Sequence, residues 1–303
     1  MSEAPFPDTS KAPVCVMTMV YQDYFFLKKW YQYYSAQFDP AHLYIFSHGN
    51  DPEHRKIAPK ANVIGVYRDP TLRRLERKRW NSMSELHKML LTYYNWVICS
   101  DVDELILFDP EVSTDLGSYL AEINQDETPP KSICPLGIEI IHNPELEPDE
   151  IDENQPILDQ RRVFRLNANY SKPCILREPG RFSVGGHANT HLPRVLADHL
   201  FLVHLRFFDY KRSHERLVSR LNMRKKLDRS DNEADLTGAW SNDLENLKTL
   251  SSRVPEQETI DFPEFRKKMV DGMRVMHSGT MAFWGGGRTH EVYRLPERFS
   301  RVF

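Results

Sequence analysis

Two kinds of apolar run alternate along the first hundred residues of this chain. Residues 13–20 (Pro-Val-Cys-Val-Met-Thr-Met-Val) are almost continuously apolar and β-branched, the pattern of a strand covered on both faces. From Tyr24 to Phe38 the apolar residues instead recur at helical spacing, at Phe26, Leu27, Trp30, Tyr31 and Tyr34. The alternation then continues. A strand over 42–46 ends in the turn formers Ser47-His48-Gly49-Asn50-Asp51-Pro52, a third strand covers 62–67, a long helix covers 72–94, and a short apolar strand covers 96–100. Strands and helices in this order predict βαβ units and a parallel sheet.

Beyond residue 129 the runs shorten to strands over 132–135, 161–166 and 200–204, separated by Pro- and acid-rich loops. The longest of these loops, 143–156, is long enough to suggest a mobile or functional segment. Charged helical patterns follow over 212–229, 243–251 and 262–276. The expected organisation is one α/β domain over 1–210 and a helical C-terminal extension over 211–303, without internal repeats.

Composition narrows the class. With 40% hydrophobic and 27% charged residues in 303, the chain is ordinary globular material. A formal net charge of −3 argues against a dedicated nucleic-acid binder. No stretch approaches the roughly 18–20 apolar residues needed to span a bilayer, and residues 1–11 lack an apolar leader core, so a cytoplasmic protein is expected. Cys15, Cys99, Cys134 and Cys174 are widely spaced within apolar runs and read as reduced core residues.

The chemistry concentrates at Ser100-Asp101-Val102-Asp103-Glu104, where three acids follow a strand too apolar to solvate them. Open α/β sheets bind ligands at that edge. Two carboxylates one residue apart can converge on Mg²⁺ or Mn²⁺ held by phosphate oxygens, so the motif reads as a diphosphate–metal clamp. An isolated D-x-D also arises by chance or caps a helix; its place after four alternating strands raises its weight.

This segment resembles the D-x-D-E-F/L motif of the bacterial glycosyltransferase family 2-like group, related in pattern to the family 92 enzymes. Tyr21-Gln22-Asp23 occupies the position of that family's Lys-Asn-Glu-like turn, and Lys29-Trp30 that of its Glu-Trp. Lys172-Pro173-Cys174-Ile175-Leu176, Gly185-Gly186-His187 and Val203-His204-Leu205-Arg206 follow in the family's order, so the resemblance spans roughly 13–220. It implies a GT-A fold, a Rossmann-like sheet that binds nucleoside diphosphate sugars, and an inverting transfer to a glycan or glycolipid acceptor.

The expected site follows. Asp101, Asp103 and His204 are the candidate metal ligands for Mn²⁺ or Mg²⁺, with His187 as rival to His204. Thr18, Tyr21, Asp23, Asn50, Asp101, Lys172, His187 and Arg206 are the expected donor contacts, Lys172 and Arg206 offsetting charge on the departing diphosphate. Glu139 is the expected catalytic base beside Asp103, with Glu178, Asp198 and Asp209 as alternatives. The basic run Arg73–Arg79 reads first as a solvated helix face, and second as a contact to donor phosphates or to the inner face of an anionic membrane. Two rival readings are a catalytically degenerate binding or scaffold protein and a nucleotidyltransferase; the latter wants a Gly-rich basic loop after the first strand, which Tyr21-Gln22-Asp23-Tyr24 does not supply.

Overall fold

The computed structural model describes residues 8–112, 115–124, 128–225, 242–255, 260–285 and 289–303. Strand β1 (Ala12–Val20) is followed by helix α1 (Tyr24–Ser35), and the pattern repeats through β2 (Leu43–His48), α2 (Pro52–Ile57), β3 (Asn62–Val66), α3 (Leu75–Leu90) and β4 (Tyr94–Cys99). These strands lie in the order β3-β2-β1-β4, all parallel. The alternating side chains of β1 explain why both faces are covered. Val14, Val16 and Val20 pack with Phe26, Leu27, Trp30 and Tyr34 of α1, while Cys15, Met17 and Met19 pack with Trp80, Met83 and Leu90 of α3. The result is a Rossmann-like α/β arrangement.

The second half of the sheet is mixed. After β5 (Glu104–Phe108) and α4 (Leu116–Ile123) comes β6 (Ser132–Ile141), then α5 (Ile157–Gln160), β7 (Val163–Leu166), β8 (Ile175–Leu176) and β9 (Val195–Phe207). Strand β8 joins β4 to β6 with antiparallel pairing on both sides. β9 runs parallel to β6 and antiparallel to β5, and β7 adds to β6 antiparallel.

The residues after 210 hold α6 (Tyr210–Lys225), α7 (Asp243–Ser251) and α8 (Phe262–Asp271), and they also carry strand structure. β10 (Arg274–Val275) and β11 (Ala282–Phe283) form a small antiparallel ribbon, and β12 (Tyr293–Arg294) adds to β7 of the central sheet. Phe262, Met269, Trp284, Leu295 and Phe299 belong to the same apolar cluster as α1, so this segment shares the main core.

Several expected boundaries move for local reasons. The helix expected from 72 starts at Leu75, because Leu72 and Arg74 take positive φ (55° and 52°) and turn the chain instead. It ends at Leu90, leaving a turn before β4. The strand expected over 132–135 runs on to Ile141; Pro135 has no N–H to give the ladder, and a register shift between Cys134 and Leu136 accommodates it. The helix expected over 262–276 stops at Asp271 before Gly272. The end of the helix expected over 212–229 lies outside the described residues. All four cysteines are free and buried. No described helix is long and apolar enough to cross a membrane.

Candidate functional site

Because β1, β2 and β4 are parallel, their C-terminal ends reach the same sheet edge. There the chain opens into a cleft of about 780 Å³. One wall is the β1–α1 turn, where Gln22 and Asp23 both take positive φ (55° and 47°). Asp101–Asp103, in the short link between β4 and β5, line the cleft with Glu104, the first residue of β5, and α6 presents Arg212, Glu215, Arg216, Ser219 and Arg220 at helical spacing.

Each motif aspartate meets cations. Asp101 pairs with Arg79 through one oxygen, and the other accepts from Lys172 Nζ at 3.1 Å. Lys172 also lies 2.6 Å from Glu104. Burial alone would push the Lys172 ammonium toward neutrality, yet the charges of Glu104 and Asp101 hold its pKa above the usual lysine range. Burial likewise opposes the Asp101 carboxylate, and Arg79 and Lys172 hold it below the usual range. Asp103 lies 2.5 Å from Arg216 Nη1, while Nε and Nη2 of the same guanidinium donate to the two oxygens of Asp23 at 3.0 and 2.7 Å. One arginine therefore joins the β1–α1 turn to the acidic motif.

His204 stands on β9 directly opposite both Glu104 and Glu139. Its Nε2 is 3.6 Å from Asp103 and its Nδ1 3.5 Å from Glu139. Burial would lower its pKa, but the Asp103 and Glu139 carboxylates beside it carry it above the ordinary imidazole value. The Tyr170 ring covers it at 4.0 Å between centroids.

The structure brings Tyr21, Asp23, Asp101, Asp103, Lys172, His187, His204 and Arg206 together around the cleft. His187 points Nδ1 at the Asn169 carbonyl (2.7 Å), and burial and nearby Lys172 push its pKa down to about 4. Arg206 lines the cleft but is committed to Asp243 and to the Tyr170 hydroxyl. Three expected residues stand elsewhere. Thr18 is sealed within β1, Asn50 sits in an exposed turn at positive φ, and neither lines the cleft. Glu139 is 0% exposed, accepts from Arg165 Nε at 2.6 Å, and stands behind His204, out of reach of an acceptor. The alternatives Glu178, Asp198 and Asp209 also lie off the cleft; Glu178 pairs with Lys131 and Asp209 with Arg161.

The expected metal ligands are held by other partners in this structure. Among the described residues, no group of three or more His, Cys, Asp or Glu side chains is arranged to hold a metal ion. The expected trio is split, Asp101 turning to Arg79 and Lys172 while Asp103 turns to Arg216 and His204. As placed, these residues do not fit a three-ligand cage.

Sequence reasoning passed over Arg216, Arg220 and Glu215, and named Arg79 only within the basic run Arg73–Arg79. The available signal was the spacing of Arg212, Arg216 and Arg220, four residues apart on one helix face. Arg68, whose guanidinium lies 3.6 Å above the Tyr21 ring, had no comparable signal. Neither a family model nor a curated protein matches this chain.

Proposed function

We propose that this protein is a glycosyltransferase of the GT-A type that moves a sugar from a nucleoside diphosphate donor to a glycan or glycolipid acceptor. One observation carries the reading: the Asp101–Asp103 pair leaves the end of a parallel strand into a cleft lined, among the described residues, by seven Lys and Arg side chains and six Asp and Glu side chains. A cleft at the strand ends of an α/β sheet, rich in fixed cations, suits a ligand whose diphosphate gains charge as its bond to the sugar breaks. The sheet order β3-β2-β1-β4 with a mixed second half is compatible with GT-A architecture.

In this reading the acceptor hydroxyl attacks the anomeric carbon from the face opposite the diphosphate, and the sugar–diphosphate bond breaks with inversion. The hydroxyl proton needs a carboxylate that reaches the cleft and is not held by a cation. Glu215 on α6 meets both conditions: it is exposed, lines the cleft, and has no hydrogen bond or ion pair among the described residues. It replaces Glu139 as the candidate base. Arg79, Lys172, Arg216 and Arg220 are the candidate partners of the leaving diphosphate.

The test is thermal stability against a panel of nucleoside diphosphates, since a ligand of the folded state raises the midpoint. One nucleotide should raise it, and the rise should shrink in Lys172→Ala. No shift with any nucleotide at millimolar concentration would sink the donor reading and favour a binding protein that has lost the chemistry.

A further inference from the structure

The ionic pairing inside the cleft bears on how a diphosphate is held. Among the described residues, five of the six carboxylates that line it already face a Lys or Arg: Asp23 and Asp103 share Arg216, Asp101 has Arg79 and Lys172, Glu104 has Lys172, and Glu76 has Arg79 at 3.4 Å. A divalent ion beside a diphosphate is held by one or two carboxylates together with the phosphate oxygens, and those carboxylates must be free to take it. Here the lining, among the described residues, carries more Lys and Arg than Asp and Glu. Placing a divalent ion between Asp101 and Asp103 would require displacing the half-buried Arg79 and Arg216 guanidinium groups and the buried Lys172 ammonium from their partners, each then left without its counter-charge.

We infer that Arg79, Lys172 and Arg216 are the resident counter-cations of the Asp101–Asp103 pair, and that the cleft holds the diphosphate of its nucleotide without a divalent ion. The inference rests on the donor reading above. Donor geometry supports it. A guanidinium has five N–H groups and an ammonium three, so Arg216 with three bonds to carboxylate oxygens keeps two donors for phosphate. Lys172, facing Asp101 and Glu104, keeps one. Arg220, one turn beyond Arg216 on the same cleft-lining face, adds a further charge at the place a diphosphate would reach. Planar guanidinium forks also suit phosphate better than a point charge does.

Arg216 is the group to change. It spans Asp23 on the β1–α1 turn and Asp103 in the motif, so its loss frees both carboxylates at once. The experiment is calorimetric titration of ADP, CDP, GDP and UDP into the full chain, in chelator and again with Mn²⁺. In the wild type one nucleotide binds, and its Kd in chelator lies within about threefold of that in Mn²⁺. In Arg216→Gln its Kd in chelator weakens by about tenfold or more, and Mn²⁺ recovers much of the loss because the freed carboxylates accept the ion. Arg216→Lys keeps the charge without the fork, falls between the two, and serves as the reporter if the glutamine variant does not fold.

Wild-type binding that appears only with Mn²⁺ overturns the resident-cation inference and leaves the nucleotide reading standing. An unchanged Kd in chelator for both Arg216 variants overturns it as well. No heat with any nucleotide in either condition overturns the donor reading, and this inference with it.

Discussion

At the residue scale, Glu139 and Glu215 show how burial separates two carboxylates of the same type. Glu139 is sealed, with Arg165 and His204 as partners, and burial is outweighed by Arg165 so that its pKa falls below the usual range. Removing one member of a buried pair leaves the other charge uncompensated, so Glu139→Ala should lose about 3–5 kcal/mol in urea unfolding. Glu215 is exposed, and Glu215→Gln should leave nucleotide affinity and unfolding unchanged while turnover falls about 10²–10⁴-fold. Equal turnover in wild type and Glu215→Gln would remove it as the base. In the sequence, Glu139 follows Gly137 just beyond a predicted strand, which favours it over Glu178, Asp198 and Asp209; that β6 continues through it, and that β9 then covers it, is tertiary information. Thr18 is the opposite case: residues 13–20 already read as a strand covered on both faces, and that cover is what keeps Thr18 out of the cleft.

His87 adds a pH dependence at the same scale. Its Nε2 accepts the Gly180 N–H (3.1 Å), its Nδ1 lies 3.2 Å from the Met83 carbonyl, and burial pushes its pKa down to about 4. The unfolded imidazole takes its proton near 6.5. The unfolded chain therefore binds more protons between those values, so the contribution of His87 is whole above pH 6.5 and is lost as pH falls toward 4. Unfolding free energy measured at pH 7 and pH 4.5 should drop by less in His87→Gln than in wild type. An equal drop in both would assign the titration to other groups.

At the scale of elements, the parallel half of the sheet was legible because its signals are local. A run such as Val97-Ile98-Cys99 has no side that tolerates water, and α1 carries apolar residues at helical spacing. The face of α6 was not legible, since a helix with mean hydropathy this low can turn its charges to solvent or to a cleft, and docking against β9 decides. Loop 143–156 also behaves differently from its composition. Lys29 on α1 donates to the Glu153 carbonyl at 2.6 Å and Arg212 on α6 to the Glu153 carboxylate at 2.6 Å, so the loop ties two helices together. Gly186 shows a tighter constraint. It takes φ 68°, and a Cβ there would enter the ring of Trp80 on α3. Gly186→Ala should cost about 1–3 kcal/mol from backbone conformation alone, with the clash added; a loss under 0.5 kcal/mol in chemical denaturation would show that the loop relaxes freely.

At the scale of the whole molecule, the expected boundary at 210 does not coincide with a break in packing. β12 pairs with β7, and Arg266 on α8 donates to the carbonyls of Ala197 and Leu200 in β9 (3.0 and 3.3 Å). A fragment ending at 210 would expose the apolar face that Phe262, Trp284 and Phe299 cover. Such a fragment should lack a cooperative unfolding transition and be degraded under limited proteolysis that leaves the full chain intact; a cooperative fragment would make the C-terminal segment an accessory. A net charge of −3 over the chain coexists with a cleft whose lining, among the described residues, carries seven Lys and Arg against six Asp and Glu.

Trp80 turns that arrangement into an optical device. Its indole is flanked by the Arg79 guanidinium at 5.2 Å and the Lys172 ammonium at 5.5 Å, and among Trp30, Trp80, Trp96 and Trp284 it is the one that lines the cleft. Any anion that draws those two cations away from the ring changes the local field on the chromophore. Occupancy of the cleft thus becomes visible in the emission of a native side chain, with no label attached.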